Sequence, residues 1–184
     1  GQALWALAQA ATLPPDSEWA ARTLPIVGRA LDWIKIQRLL TRRLAIRYAG
    51  LLPYGDPRDN ELTRAQLVGN DAWGIAGCRA AATLARLAGA DSLARAADSI
   101  VTDYLDAFRT ALARSGSRDV PPSWQGPGRD WGNFAVGYPT RALAAGDPRL
   151  AALARRVWGR TGGPGLTSHS PLATLHSYVG ADLA

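Results

Sequence analysis

Cysteine and long apolar runs are the first features that this sequence lacks. Cys78 is the only cysteine in 184 residues, which excludes an internal disulfide and a zinc site built from cysteines. No apolar run approaches the roughly 20 residues of a membrane-spanning helix, so we expect a soluble chain, cytoplasmic or secreted, without a membrane partner. Methionine is absent, and the start "GQALWALAQAATL" resembles neither a signal peptide nor a natural N-terminus. We therefore expect that the chain was cut from a longer protein.

Concentrated positive charge is also missing, although the formal net charge is +6. Lys35 is the only lysine, and most arginines alternate with alanine and leucine, as on a solvated helix face. We therefore expect no nucleic-acid partner. The sequence has neither a Gly-Lys-Ser/Thr phosphate loop nor a Gly-x-Ser-x-Gly elbow. His169 and His176 have no evident third ligand beside them, so we expect no zinc and no other cofactor.

The apolar pattern predicts an all-α protein that forms one domain over residues 1–184. Apolar residues recur at helical spacing in 24–34 and 93–112, and no stretch shows the alternation of a β-strand. A layout repeats three times: an inner helix, rich in Gly and Ala, then a short turn with an aspartate, then an amphipathic second helix. The inner helices are expected to be the buried ones. The turn aspartates are predicted N-caps of the second helices: Asp16, Asp91 and Asp147.

Long loops at the other end of the predicted antiparallel helices are the expected location of a functional site. These loops cover about 47–70, 115–130 and 159–175, and loops gathered on a rigid scaffold commonly carry function. Three aromatic-bearing helix starts face this end: Asp71 and Trp73 in "GNDAWGIAG", Asp130 and Trp131 in "RDWGNFAVGYP", and His176 and Tyr178 in "LHSYVG".

Several stretches in this order resemble the six-hairpin glycosidase superfamily. They are "GQALWALAQAATL" with "DSEWAARTLPIVGRALDWI", "GLLPYGD", "NDAWGIAGCRAAATLARLAG" and "DWGNFAVGYP". The resemblance implies an (α/α)6 toroid with glycoside hydrolase-like activity on an oligo- or polysaccharide. It implies six hairpins, whereas the sequence shows about three and the start of a fourth, so we expect a partial domain. The remaining hairpins of the parent domain would then be a partner, and we expect this fragment to be inactive alone.

Glycoside hydrolysis usually takes two carboxyl groups, so the acidic residues at the loop end are the catalytic candidates. We select Glu61, Asp71 and Asp130. Asp71 matches the second acid of the superfamily's acid-acid-aromatic-Trp helix start, with Asn70 in place of the first acid and Ala72 in place of the aromatic. Because an aspartate near a helix N-terminus favours its ionised form, Asp71 suits a base and Glu61 the acid. A cap or a structural hydrogen bond is the alternative for Asp71 and Asp130, and a solvated loop position for Glu61.

Aromatic and polar residues at the same end are the candidate sugar-binding residues. An indole or phenol ring can pack on the apolar face of a pyranose, although large aromatics at helix starts are also common in cores. The aromatic candidates are Tyr54, Trp73, Trp124 and Trp131. The candidates for hydrogen bonds to hydroxyl groups are Asn133, His176 and Tyr178.

Two other function classes stay open from the sequence. A helical-toroid polysaccharide lyase or sugar epimerase would use a Tyr and His pair, such as His176 and Tyr178, for proton abstraction. A non-catalytic helical interaction module would need neither set of residues. Two carboxyl groups in one cleft would favour the hydrolase, and a Tyr and His pair there would favour the lyase or epimerase. If neither set converges, the interaction module is favoured.

Overall fold

The computed structural model describes residues 1–55, 64–126, 128, 130 and 132–161, with 160 and 161 described by their backbone alone. This part of the chain contains five α-helices and one 3₁₀ helix, with no strand beyond two isolated bridges. The prediction of an all-α protein is confirmed for these residues. The helices are α1 (Gln2–Thr12), α2 (Ser17–Arg43), α3 (Val68–Leu87), α4 (Asp91–Ser115), the 3₁₀ helix (Asn133–Val136) and α5 (Pro148–Thr161).

The chain divides into two compact units. The first unit consists of Gly1–Pro53 and Trp73–Thr110, and the second of Tyr54–Ala72 and Ala111–Ala184. The division falls inside α3 and α4, so the first turn of α3 belongs to the second unit.

Two of the three predicted aspartate caps are confirmed. Asp16 accepts a hydrogen bond of 2.8 Å from the backbone N–H of Trp19, and Asp147 accepts one of 2.9 Å from that of Arg149. The prediction for Asp91 is wrong, because α4 begins at Asp91 itself. The first helical carbonyl acceptor is that of Ala90, so Asp91 lies one residue inside the helix. An acidic residue there still complements the positive end of the helix dipole.

The first unit buries the apolar faces that the spacing predicts. The inward face of α2 includes Val27, Leu31 and Ile34. The part of α3 from Gly74 to Cys78 is fully buried, as expected for an inner helix. Helix α1 differs from that expectation, since only Leu4, Ala8 and Ala11 are buried and its other face is exposed.

Helices α3 and α4 run antiparallel in the first unit. A Cβ atom added at Gly74 would lie 2.6 Å from the Tyr104 hydroxyl, so only glycine fits there without movement of the ring. Farther along α3, Arg86 forms an ion pair with Asp98, six residues before Tyr104. A later residue of α3 therefore contacts an earlier residue of α4, which is the pattern of an antiparallel pair.

Arg38 connects the segment after α2 to α4 within the first unit. Its Nε donates 2.6 Å to the Gly50 carbonyl, its Nη2 lies 2.8 Å from an Asp103 carboxylate oxygen, and its guanidinium stacks 3.9 Å from the Tyr104 ring centre. Partial burial favours a higher pKa for Asp103, but the hydrogen bond from Arg42 and the charges of both arginines hold this pKa below its ordinary value. The ion pair is therefore retained at neutral pH.

The predicted third inner helix does not form. Within the described residues of "RDWGNFAVGYP", the one helical element is the 3₁₀ helix. A turn follows it, in which Leu143 N–H donates to the Val136 carbonyl. Pro139 has no N–H and disfavours helical geometry at Tyr138, and Gly137 adds backbone freedom. The repeated layout is thus complete only in its first two rounds within the described residues.

The start of α3 is anchored inside the second unit. Val68 N–H donates 3.2 Å to the Pro122 carbonyl, and Trp124 N–H donates 3.0 Å to the Gln66 carbonyl. The backbones of Gly69 and Gly132 also approach closely, since a Cβ added at Gly69 would lie 2.5 Å from the Gly132 carbonyl carbon. This contact fixes the segment that leads into Asn133 against the first turn of α3.

Substitution of Gly69 by alanine tests this contact. Alanine favours a helix over glycine by up to about 1 kcal/mol, but the clash with Gly132 is expected to lower the free energy of unfolding by about 1–3 kcal/mol. The matched control is Gly28→Ala in α2, where an added Cβ has no neighbour within 4 Å. We expect that control to stabilise the protein by about 0.5–1 kcal/mol in urea denaturation. Equal stabilisation by both substitutions would show that the two backbones do not touch.

Candidate functional site

The second unit brings together four of the predicted site residues. Asp71 lies in the first turn of α3, Trp124 on the loop after α4, and Asp130 and Asn133 at the start of the 3₁₀ helix. All four are buried. The segment 119–125 links them, because Trp124 donates to Asp71, Val120 accepts from Asn133, and Asp119 shares Arg156 with Asp130.

Asp71 is held by an indole. Its Oδ2 accepts a hydrogen bond of 2.6 Å from Trp124 Nε1, and neither side chain is more than 1% exposed. Asp71 is not an N-cap, because α3 begins three residues earlier at Val68. Of the two predicted alternatives to a catalytic role, the structure thus has the structural hydrogen bond. The carboxylate also lies near the positive end of the α3 dipole.

Two glutamines, which sequence reasoning missed, position Trp124. Gln125 Nε2 donates 3.0 Å to Gln66 Oε1, and Gln66 N–H donates 2.9 Å to Gln125 Oε1. Together with the backbone bond from Trp124 to Gln66, this reciprocal pair holds the two loops side by side through three hydrogen bonds. Their separation of 59 residues left no local signal in the sequence.

Arg156 of α5 joins two aspartates. Its Nη1 and Nη2 donate to the two Asp130 carboxylate oxygens over 2.6 and 2.9 Å, while its Nε donates to Asp119. Partial burial favours a lower pKa for Arg156, but the hydrogen bonds and charges of Asp130 and Asp119 outweigh it and raise the pKa above its ordinary value. Arg156 was also missed, although its place three residues after the buried Leu153 indicates an inward register.

Asn133 completes this cluster. Its Nδ2 donates 2.9 Å to the Val120 carbonyl and 2.8 Å to Asp130 Oδ1, which fixes the orientation of the amide. Its Oδ1 has no hydrogen-bond donor among the described residues, although the side chain is only 1% exposed. We call Asp119, Asp130, Asn133 and Arg156 the polar frame. Within it, this amide oxygen is the buried acceptor whose hydrogen-bonding capacity the described residues leave unused.

The polar frame limits the chemistry available to Asp130. Both of its oxygens accept hydrogen bonds from Arg156, and one of them also accepts from Asn133. A general acid must reach the substrate through one of its carboxyl oxygens, and both Asp130 oxygens are engaged by donors of the protein itself. The geometry therefore favours a positioning role for Asp130.

Two of the other predicted residues, Tyr54 and Trp73, lie in the described part of the chain. Tyr54 belongs to the second unit and is 47% exposed. Trp73 belongs to the first unit, where its ring packs edge to face against Trp5 with a centroid distance of 5.9 Å. Four predicted residues lie outside the described part of the chain: Glu61, Trp131, His176 and Tyr178.

Residues able to bind a metal are not clustered in the described ranges, where no group of three or more His, Cys, Asp or Glu side chains occurs. None of the described helices combines the length and apolar character that crossing a lipid bilayer requires. Comparison of the chain with protein families, curated proteins and solved structures finds no match.

A double-mutant cycle on Asp71 and Trp124 measures the bond at the centre of this arrangement. Trp124→Phe removes the Nε1 donor, and we expect the free energy of unfolding to fall by about 1–3 kcal/mol beyond the loss of ring volume. In the Asp71→Asn variant, the indole donates to a neutral amide oxygen, which is a weaker bond. There, Trp124→Phe is expected to lower the free energy of unfolding by about 1 kcal/mol less than in the wild type. The volume change cancels in the cycle. Strictly additive effects in urea denaturation would mean that the negative charge of Asp71 does not strengthen its bond to Trp124.

Proposed function

We propose that this chain is part of a glycoside hydrolase-like helical domain, an incomplete (α/α)6 toroid, that acts on an oligo- or polysaccharide. Its second unit contributes sugar-binding groups at the loop end of the helices. Asp71 is the proposed base or hydroxyl acceptor, and Glu61 the proposed acid. The support lies in the polar frame, in the resemblance to six-hairpin glycosidases and in the carboxylate that Trp124 holds at the start of α3.

The observation that carries this proposal is the unused acceptor of Asn133. A buried polar atom without a partner costs about 1–3 kcal/mol, so native proteins seldom retain one without a role. Both amide hydrogens of Asn133 are occupied by Val120 and Asp130, so the side chain can only accept a further bond through Oδ1. A sugar hydroxyl is a donor of suitable size. A hydroxyl group of a carbohydrate would supply the missing donor, which supports the proposal.

A non-catalytic helical module is the second candidate. One specific observation favours it: Asp71 and Asp130 are both buried and both accept hydrogen bonds from the protein's own side chains. Such carboxylates can serve the fold alone. The lyase or epimerase alternative depends on His176 and Tyr178, so the described residues add nothing to it.

Carbohydrate binding at Asn133 is the test that separates these candidates. We expect at least one neutral oligosaccharide, from a panel of gluco-, manno-, galacto- and xylo-oligomers, to shift the side-chain amide resonance of Asn133 in NMR titrations. Asn133→Ala removes the acceptor, and the affinity is expected to fall about fivefold or more, the equivalent of one hydrogen bond. Asn70→Ala is the matched control, because Asn70 is an exposed asparagine of the same unit.

Two readouts keep this test independent of folding. Circular dichroism shows whether Asn133→Ala is folded, and the wild-type resonance shift needs no variant at all. Release of reducing ends from a bound oligosaccharide would add direct support for hydrolysis, and it would contradict the expectation that this fragment is inactive alone. The absence of any resonance shift across the panel would contradict the proposed function and leave the non-catalytic module as the better account.

A further inference from the structure

The outward side of α2 carries an apolar stripe that no part of the described chain covers. Ile26, Trp33 and Leu40 follow one another at intervals of seven residues, which places them along one line of the helix. Ile36 flanks this line, and Leu44 follows directly after the last turn. We call these five residues the α2 stripe. Each is at least 41% exposed, and Trp33 in the middle is 56% exposed.

The stripe is separate from the face of α2 that packs inside the first unit. Val27, Leu31 and Ile34 form that inner face and are buried. A helix on the surface of a folded unit ordinarily needs only one apolar face. A second apolar line of this length is typical of a surface that binds another protein.

We propose that the α2 stripe binds the α2 stripe of a second copy of this chain, in an antiparallel, twofold-symmetric pair. A twofold axis beside Trp33 places Ile26 of one copy opposite Leu40 of the other, because both lie seven residues from Trp33. The two Trp33 side chains meet at the axis. A closed twofold interface requires that a surface be complementary to itself, and the order of residues about Trp33 meets this condition.

The area and the charges fit such a pair. The exposed parts of the five side chains amount to on the order of 500 Å² per copy, so pairing removes on the order of 1,000 Å², near the lower limit for specific interfaces. The same axis places Arg29 opposite Gln37 and Arg22 opposite Leu44, so no like charges face each other there. Because each copy carries a formal charge of +6, long-range repulsion opposes pairing and added salt should strengthen it.

The oligomeric state in solution is the first test. We expect sedimentation equilibrium of the full chain to show a monomer–dimer equilibrium in the micromolar range that shifts toward dimer as salt is added. Trp33→Glu buries a charge at the axis and is expected to weaken the dimer about tenfold or more. Ala21→Glu is the matched control, since it makes the same charge change at an exposed α2 position away from the stripe. We expect that control to dimerise like the wild type.

Disulfide crosslinking is the second test, and it reports the arrangement directly. Trp33→Cys places two thiols at the twofold axis, so we expect a covalent dimer under mild oxidation. The control Lys35→Cys presents a thiol on the opposite side of α2 and is expected to stay uncrosslinked. The native Cys78 is buried and does not compete. A wild type that stays monomeric, a dimer unaffected by Trp33→Glu, or equal crosslinking by both cysteine variants would overturn the proposal.

Discussion

The second unit depends on one cation that serves two carboxylates. Arg156 reaches from α5 to Asp119 and Asp130, and Asp130 in turn orients the amide of Asn133. Asp130 is buried, and a buried carboxylate without a partner is costly because it is desolvated. The same contacts raise the pKa of Arg156 above its ordinary value, which favours the charged guanidinium. The loop after α4, the 3₁₀ helix and α5 are thereby fixed as one piece.

Features governed by neighbouring residues were predictable from the sequence. Asp16 and Asp147 cap helices through bonds to residues two or three positions away, and those bonds need nothing from the rest of the chain. The inward faces of α2 and α4 follow from helical spacing, because a helix repeats its geometry every 3.6 residues. The Gly and Ala content of α3 correctly predicted its burial. Asp91 was misplaced by a single residue, within the ordinary uncertainty of a helix boundary.

Features governed by distant residues were not predictable. Gln66 and Gln125 pair across 59 residues, and Arg156 reaches Asp119 across 37. No local pattern marks either contact. The stretch after Asp130 was predicted to be an inner helix because an aspartate and an aromatic precede small residues, as in α3. There, Gly137 and Pro139 and the hydrogen bonds of Asn133 to Val120 and Asp130 outweigh that local resemblance. The sequence therefore pointed to four residues of the buried cluster, but not to the glutamines and the arginine that orient them.

Arg156 holds the amide of Asn133 in one orientation, because it binds both oxygens of Asp130 and Asp130 accepts from that amide. Hydrogen exchange of the two Asn133 Nδ2 protons, followed by NMR, tests this most directly. In the wild type we expect both protons to exchange far more slowly than those of the exposed Asn70, because each is donated to a buried acceptor. Arg156→Lys keeps the charge but loses the guanidinium fork, and should accelerate this exchange at least tenfold. Wild-type exchange as fast as that of Asn70 would contradict the account.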